Sequence, residues 1–150
     1  MRSEAFAVDA TSAVERAAID AHTAFRDYCR RSGAERARFL RRIAEGIESL
    51  GDSLTKSTSR ETALPEARLQ SERARTCLQL RMFADFAQVG AWIDERIDPV
   101  DPLRLPAPRP RVRSQLKPLG PIAVFGASNF PLAFSVAGAT PLPHSPWAVR

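Results

Sequence analysis

Asn129 carries a neutral side-chain amide with two N–H donors, and it stands where a ligand could be held. Just before it come Gly126, Ala127 and Ser128, three small residues that let another molecule approach the backbone closely. Ahead of these, Ile122 to Phe125 form a short apolar run bracketed by Gly120-Pro121 and Gly126. A run of that length suits a strand buried on both faces of a parallel sheet. Pro131 can open a helix, because the first helical turn does not need its missing N–H. The pattern predicts a strand, a sharp turn and a helix start, with Asn129 at the strand's carboxyl end. Open α/β folds bind ligands there. A turn or helix-capping Asn fits the same residues, and no G-x-G-x-x-G is present, so no dinucleotide fingerprint can be claimed.

The other reactive side chains read as structural. Cys29 and Cys77 are far apart in sequence and fit neither a metal knot nor a redox pair, which points to a reducing, cytoplasmic setting. Cys77 falls mid-helix among Leu78, Leu80 and Phe83, the setting of a buried thiol rather than a nucleophile. His22 sits in a helix without partners, His144 lies among prolines, and no metal site is expected. The charge of +5 raises nucleic acid as a partner. Its Arg residues are interleaved with Glu, however: Arg36, Arg38, Arg41 and Arg42 with Glu35, Glu45 and Glu48, then Arg68, Arg73, Arg75 and Arg81 with Glu66 and Glu72. Mixed signs at helical spacing predict solvated faces with modest ion pairs, and no nucleic-acid recognition module accompanies them. No apolar run approaches the roughly 20 residues of a membrane span, and no signal-peptide pattern opens the chain.

The positioning elements are mostly helical, and 150 residues with 44% hydrophobic content suffice for one core. Ser12 to Glu15 reads as a capping box for a first helix with Val14, Ala18, Ala21, Phe25 and Tyr28 on its inner face, ended by Gly33. Ser32 to Glu35 caps a second helix, with Phe39, Leu40, Ile43, Ile47 and Leu50 inward and Gly51 as its stop. A Ser/Thr-rich helix follows over 54–62. Leu64-Pro65 then opens a long helix to about Val89, with Leu69, Cys77, Leu80, Phe83, Ala84 and Ala87 inward and Gly90 as its end. Five prolines between Asp98 and Pro110 predict an extended connector between strands near 91–97 and 111–118.

Two strings add a resemblance to these patterns. Gly-Pro-Ile-Ala-Val-Phe-Gly-Ala-Ser-Asn-Phe-Pro-Leu-Ala-Phe-Ser, over 120–135, resembles the aldehyde dehydrogenase superfamily where Asn-Phe-Pro follows the first strand of the cofactor domain. Glu61-Thr-Ala-Leu-Pro65 and the helix after it resemble that family's Glu-Thr-Gly-Leu-Pro region. The fold class implied is α/β: N-terminal helices plus the first strand of a Rossmann-like cofactor domain, truncated, over residues 12–138. By the same resemblance Asn129 is the oxyanion stabiliser. Phe125, Gly126, Ala127 and Ser128 line the nicotinamide half of a bound NAD or NADP. The second strand of the connector belongs to a projecting β element through which subunits associate, so the full-length form is expected to be a homo-oligomer. Ala127-Ser128 replaces the commoner Pro-Trp, which puts the cofactor contacts in question. With Leu-Ala-Phe-Ser-Val-Ala-Gly after it, that departure resembles the branch acting on α-ketoglutaric semialdehyde (2,5-dioxopentanoate). Ala63 replaces the usual Gly, a change expected to matter little unless the backbone there has positive φ.

The chemistry implied is attack of a cysteine thiolate on an aldehyde, hydride transfer to nicotinamide and hydrolysis of the thioester. A preorganised N–H donor aimed at the charged oxygen is worth roughly 3 kcal/mol in such a reaction. In the family the nucleophilic Cys, the general-base Glu and a ribose-binding Lys would all follow Arg150. The chain is therefore expected to be an N-terminal fragment, inactive alone. Residues 139–150 carry three prolines where the family's helix would continue, and a reading-frame slip near 138–139 is the expectation for that tail. A helical interaction module and a basic nucleic-acid binder are the rival readings.

Overall fold

The computed structural model describes residues 10–135 and 137. The proline-rich tail over 139–150, with its expected frame slip and His144, lies outside the described residues. Four helices dominate: α1 (Thr11–Tyr28), α2 (Gly33–Ser49), α3 (Gly51–Thr62) and α4 (Glu66–Val89). A short 3-10 turn, Ala91–Ile93, leads to strands β1 (Arg96–Asp98) and β2 (Val112–Ser114). The strands pair antiparallel with Ile97 opposite Arg113, and an isolated bridge between Asp101 and Arg109 extends the hairpin into the proline-rich connector.

The core is the seam between α2 and α4. Ala44, Cys77 and Leu80 form its buried centre, with Leu40, Ile43 and Ile47 packed against it. On α4 the expected stripe is the buried one: Leu69, Cys77, Leu80, Ala84 and Ala87 are inside and Phe83 is half-buried. On α2 the inner face is rotated from the expectation. Arg36, Ala37 and Ala44 are buried, whereas Phe39 and Leu50 are largely exposed. Small alanines at the seam let the two helices approach, and the larger side chains flank it. Two ion pairs tie the same helices together at their rims, Arg41–Asp85 and Arg81–Glu48, each at 2.6 Å. They are the modest solvated pairs that the interleaved charges predicted.

Helix ends follow local chemistry. Ser32 Oγ accepts from the Glu35 N–H at 3.2 Å while the Glu35 carboxylate accepts from the Ser32 N–H at 2.8 Å, a complete capping box. The first helix differs from its expectation. It starts after Ala10 with no side-chain cap, and its first ten residues are all exposed. Only Ala21, Phe25 and Tyr28 near its end are half-buried, with Tyr28 edge-on to Phe39 at 5.8 Å. In α3 the buried Thr55 and Thr58 hydroxyls donate to the carbonyls of Asp52 and Leu54, which reconciles a Ser/Thr-rich segment with burial. Gly90 closes α4 in the left-handed region at φ 74.

The expected buried strand over 122–125 does not form. Ile122 and Val124 are half-buried and Ala123 and Phe125 exposed, the period-two alternation of an extended segment. Among the described residues no neighbouring strand offers it a ladder, so its backbone has nothing to pair with. Among the described residues the helix expected from Pro131 is likewise reduced to turns, with one helical bond from the Phe134 N–H to the Phe130 carbonyl at 2.9 Å. The described fold is mostly helical with one small two-stranded sheet.

Candidate functional site

Residues 127–134 fold into a closed knuckle. The Ala127 N–H donates to the Phe134 carbonyl at 3.0 Å, and the Phe130 N–H donates to the Ala127 carbonyl at 3.2 Å. The second bond makes a tight turn with Ser128 and Asn129 at its two central positions. Asn129 is exposed there, and among the described residues only its backbone carbonyl is engaged. Its side-chain amide is left facing solvent, a double donor held on a closed turn.

The floor beneath the knuckle is α4. The Glu72 carboxylate, on a residue only 5% exposed, accepts from the Leu132 N–H at 3.1 Å and the Ala133 N–H at 3.3 Å. Its other oxygen pairs with Arg68 Nε at 3.2 Å. The Arg68 guanidinium also donates to the Asn129 carbonyl and lies 4.5 Å from the Phe130 ring centroid. Thr76 Oγ1 donates to the Leu132 carbonyl at 2.8 Å. Phe130 and Phe134 meet edge to face at 5.0 Å, and Arg75 stacks on Phe134 at 4.7 Å. The stretch after Pro65 and the stretch around Asn129 are thus one physical unit.

The residues expected to line a cofactor are adjacent on the surface. Phe125 is 94% exposed, Gly126 and Ser128 are exposed, and Ala127 is half-buried. A Cβ at Gly126 would make only ordinary contacts, 3.5 Å from the Phe134 carbonyl oxygen. The small residues therefore leave bare backbone toward solvent rather than fitting a close approach within the chain. A surface recess lined by Ser53, Lys56, Ser59, Arg60 and Glu66 lies among α3 and the start of α4 and includes none of these residues.

Sequence reasoning missed the residues that hold the knuckle. Glu72 was expected on a solvated face, and it is buried. Its spacing carried a signal: Glu72 falls three residues after Leu69, four before Thr76 and eight before Leu80, on the buried face of α4. Cys77 is where the sequence placed it. It is buried, with its thiol 3.7 Å from the Ala44 carbonyl, and desolvation pushes the thiol's pKa up, away from a reactive thiolate.

Residues 4–142 match the model of the aldehyde dehydrogenase family. Over 133 residues the chain is 52% identical to alpha-ketoglutaric semialdehyde dehydrogenase 2 of Azospirillum brasilense, an alignment covering 89% of this chain and 25% of the relative. Over 125 residues it is 47% identical to alpha-ketoglutaric semialdehyde dehydrogenase of Acinetobacter baylyi, covering 83% of this chain and 24% of the relative. The chain spans about a quarter of the length of these curated relatives.

Proposed function

The chain belongs to the aldehyde dehydrogenase family, and from that premise we propose that it supplies the oxyanion donor and one wall of the cofactor site of an NAD- or NADP-dependent enzyme. The aldehyde proposed is 2,5-dioxopentanoate, oxidised to 2-oxoglutarate, on the strength of the two relatives' names and of Ala127-Ser128 ahead of Asn129. The observation that carries the reading is the Asn129 side chain, exposed on a closed turn whose backbone is anchored to α4.

In this reading the Asn129 amide donates to the aldehyde oxygen as it gains charge, and the anchored turn keeps that donor oriented before reaction. The bare backbone of Gly126 to Ser128 and the exposed Phe125 ring fit the edge of a flat, partly apolar cofactor. A nicotinamide dinucleotide bound there would supply the hydride acceptor. In this reading the attacking thiolate comes from outside these 150 residues: Cys77 is buried with its pKa raised, and the half-exposed Cys29 lies at the end of α1 with its thiol donating to the Arg26 carbonyl. On that ground the chain alone is proposed to be inactive, and the full-length form a homo-oligomer.

A chimera tests the proposal. Residues 10–137 of this chain replace the aligned segment of the Azospirillum brasilense relative, and reduction of NAD and NADP is followed with 2,5-dioxopentanoate and with a simple aliphatic aldehyde. Turnover that favours 2,5-dioxopentanoate supports the reading. A folded chimera with no turnover of either aldehyde overturns it.

A further inference from the structure

We infer that Glu72 is the positioning residue of the Asn129 turn, acting as a carboxylate latch from α4; the functional weight of the latch rests on the reading of Asn129 as a donor to substrate oxygen. A buried carboxylate is costly unless its oxygens are satisfied, and the three contacts that satisfy this one all bear on a single segment. Oε2 accepts from both the Leu132 and Ala133 N–H groups, and Oε1 pairs with Arg68 Nε.

Leu132 and Ala133 follow Pro131 in a segment of turns with no helix of its own, and the Glu72 carboxylate accepts the two N–H groups. Upstream of Pro131, the Arg68 guanidinium reaches the Asn129 carbonyl and covers the Phe130 ring. One carboxylate therefore grips the turn on both sides of the proline, directly downstream and through Arg68 upstream. Thr76, one turn further along α4, holds the Leu132 carbonyl and completes the grip. With the backbone of Asn129 held at its carbonyl, the point from which its amide projects is set by α4. Preorganisation of this kind is what an oxyanion donor requires.

The latch is read on the 150-residue chain itself, without turnover. Amide hydrogen exchange at Leu132 and Ala133 is compared with exchange at Leu80 in the core. Glu72→Ala should speed exchange at Leu132 and Ala133 by about tenfold or more while Leu80 stays unchanged, as expected for bonds to a charged acceptor. Glu72→Gln keeps an acceptor oxygen and should rescue most of that protection, but it releases Arg68 and so shifts the Asn129 carbonyl-carbon resonance. Arg68→Met should shift the same resonance and leave both amides protected. If Glu72→Ala fails to fold, Glu72→Gln and Arg68→Met decide the matter through that resonance. The inference is overturned if exchange at Leu132 and Ala133 does not change, if it rises only in proportion to Leu80, or if the Asn129 resonance stays put in both milder variants. Asn129→Ala should leave the two amides protected. The role of Asn129 itself is decided separately, by turnover in the chimera.

Discussion

Gly33 sits against the backbone of Ala87 so closely that a Cβ built on it would lie 2.4 Å from the Ala87 carbonyl oxygen and 3.4 Å from that of Gln88. The sequence reads Gly33 as the stop of α1. In the structure α1 ends at Tyr28 and Gly33 is the first residue of α2, where its bareness lets α2 enter the seam beside the end of α4.

Gly33→Ala should therefore destabilise the chain by about 1–3 kcal/mol, the usual cost of overpacking. Helix propensity acts the other way by up to about 1 kcal/mol. The clash wins because the obstructing atoms are backbone and cannot rotate aside. Denaturant melts of the two proteins check the sign, and Gly46→Ala, with nothing within 4 Å of the added Cβ, should instead be neutral or stabilising.

Ala63 is the reverse case. It closes α3 in the left-handed region, at φ 60 and ψ 15, with its N–H on the Ser59 carbonyl at 2.8 Å. The replacement of the family's Gly by Ala was expected to be harmless unless the backbone had positive φ, and it does. An L side chain there costs roughly 1–2 kcal/mol, against about 0.4–1 kcal/mol gained through the stiffer unfolded chain. Ala63→Gly should raise stability by a net of about 0.5–1 kcal/mol, read as a higher denaturation midpoint with an unchanged slope.

The capping box at the start of α2 should make stability depend on acid. The Ser32 N–H and hydroxyl, then Arg31, lower the Glu35 carboxyl from its usual 4.5 to about 2. A depressed folded value means that the contribution is present above the ordinary carboxylate range and is lost as pH falls through about 2. At neutral pH the chain should melt above Glu35→Gln. That gap should narrow with acid and close below pH about 2, where both side chains are neutral. A gap that stays constant to that pH would remove the charge from the explanation.

The helices were legible because their signals are local. Leu69, Cys77, Leu80, Ala84 and Ala87 recur at helical spacing, and Gly90 and Ser32 mark boundaries by their own backbone chemistry. The strand over 122–125 was not, because an apolar run states a preference that only a neighbouring strand can satisfy. Glu72 escaped notice for a related reason. A carboxylate in a buried stripe is meaningful only once its partners are known, and Leu132 and Ala133 lie 60 and 61 residues away. The turn around Asn129 was readable as a turn, but what holds it was not.

Cys77 should be silent to thiol reagents in the native chain. It is 1% exposed and desolvation raises its pKa, whereas Cys29 is half-exposed. Alkylation followed by mass spectrometry should label Cys29 first and reach Cys77 only on unfolding. Cys77→Ser should also leave the chain as inactive toward aldehydes as before. Turnover by the 150-residue chain that Cys77→Ser abolishes would return this thiol to the list of nucleophiles.

Asn129→Ala in the chimera separates a catalytic amide from a turn-forming one. The substitution removes both N–H donors but leaves the Asn129 carbonyl for Arg68 and the backbone bonds of the knuckle in place. If the amide donates to the developing oxyanion, kcat and kcat/KM should fall together by about a hundredfold or more, the signature of an interaction made chiefly in the transition state. Cofactor affinity should hardly change, because Phe125 to Ser128 would meet the cofactor through backbone and apolar atoms. A turn-forming Asn would give the opposite pattern: a lower melting temperature, with near-normal turnover per folded molecule. Steady-state kinetics, a cofactor titration and a melting curve on this one variant distinguish the two, and normal turnover with a lowered melting temperature would take Asn129 out of the mechanism.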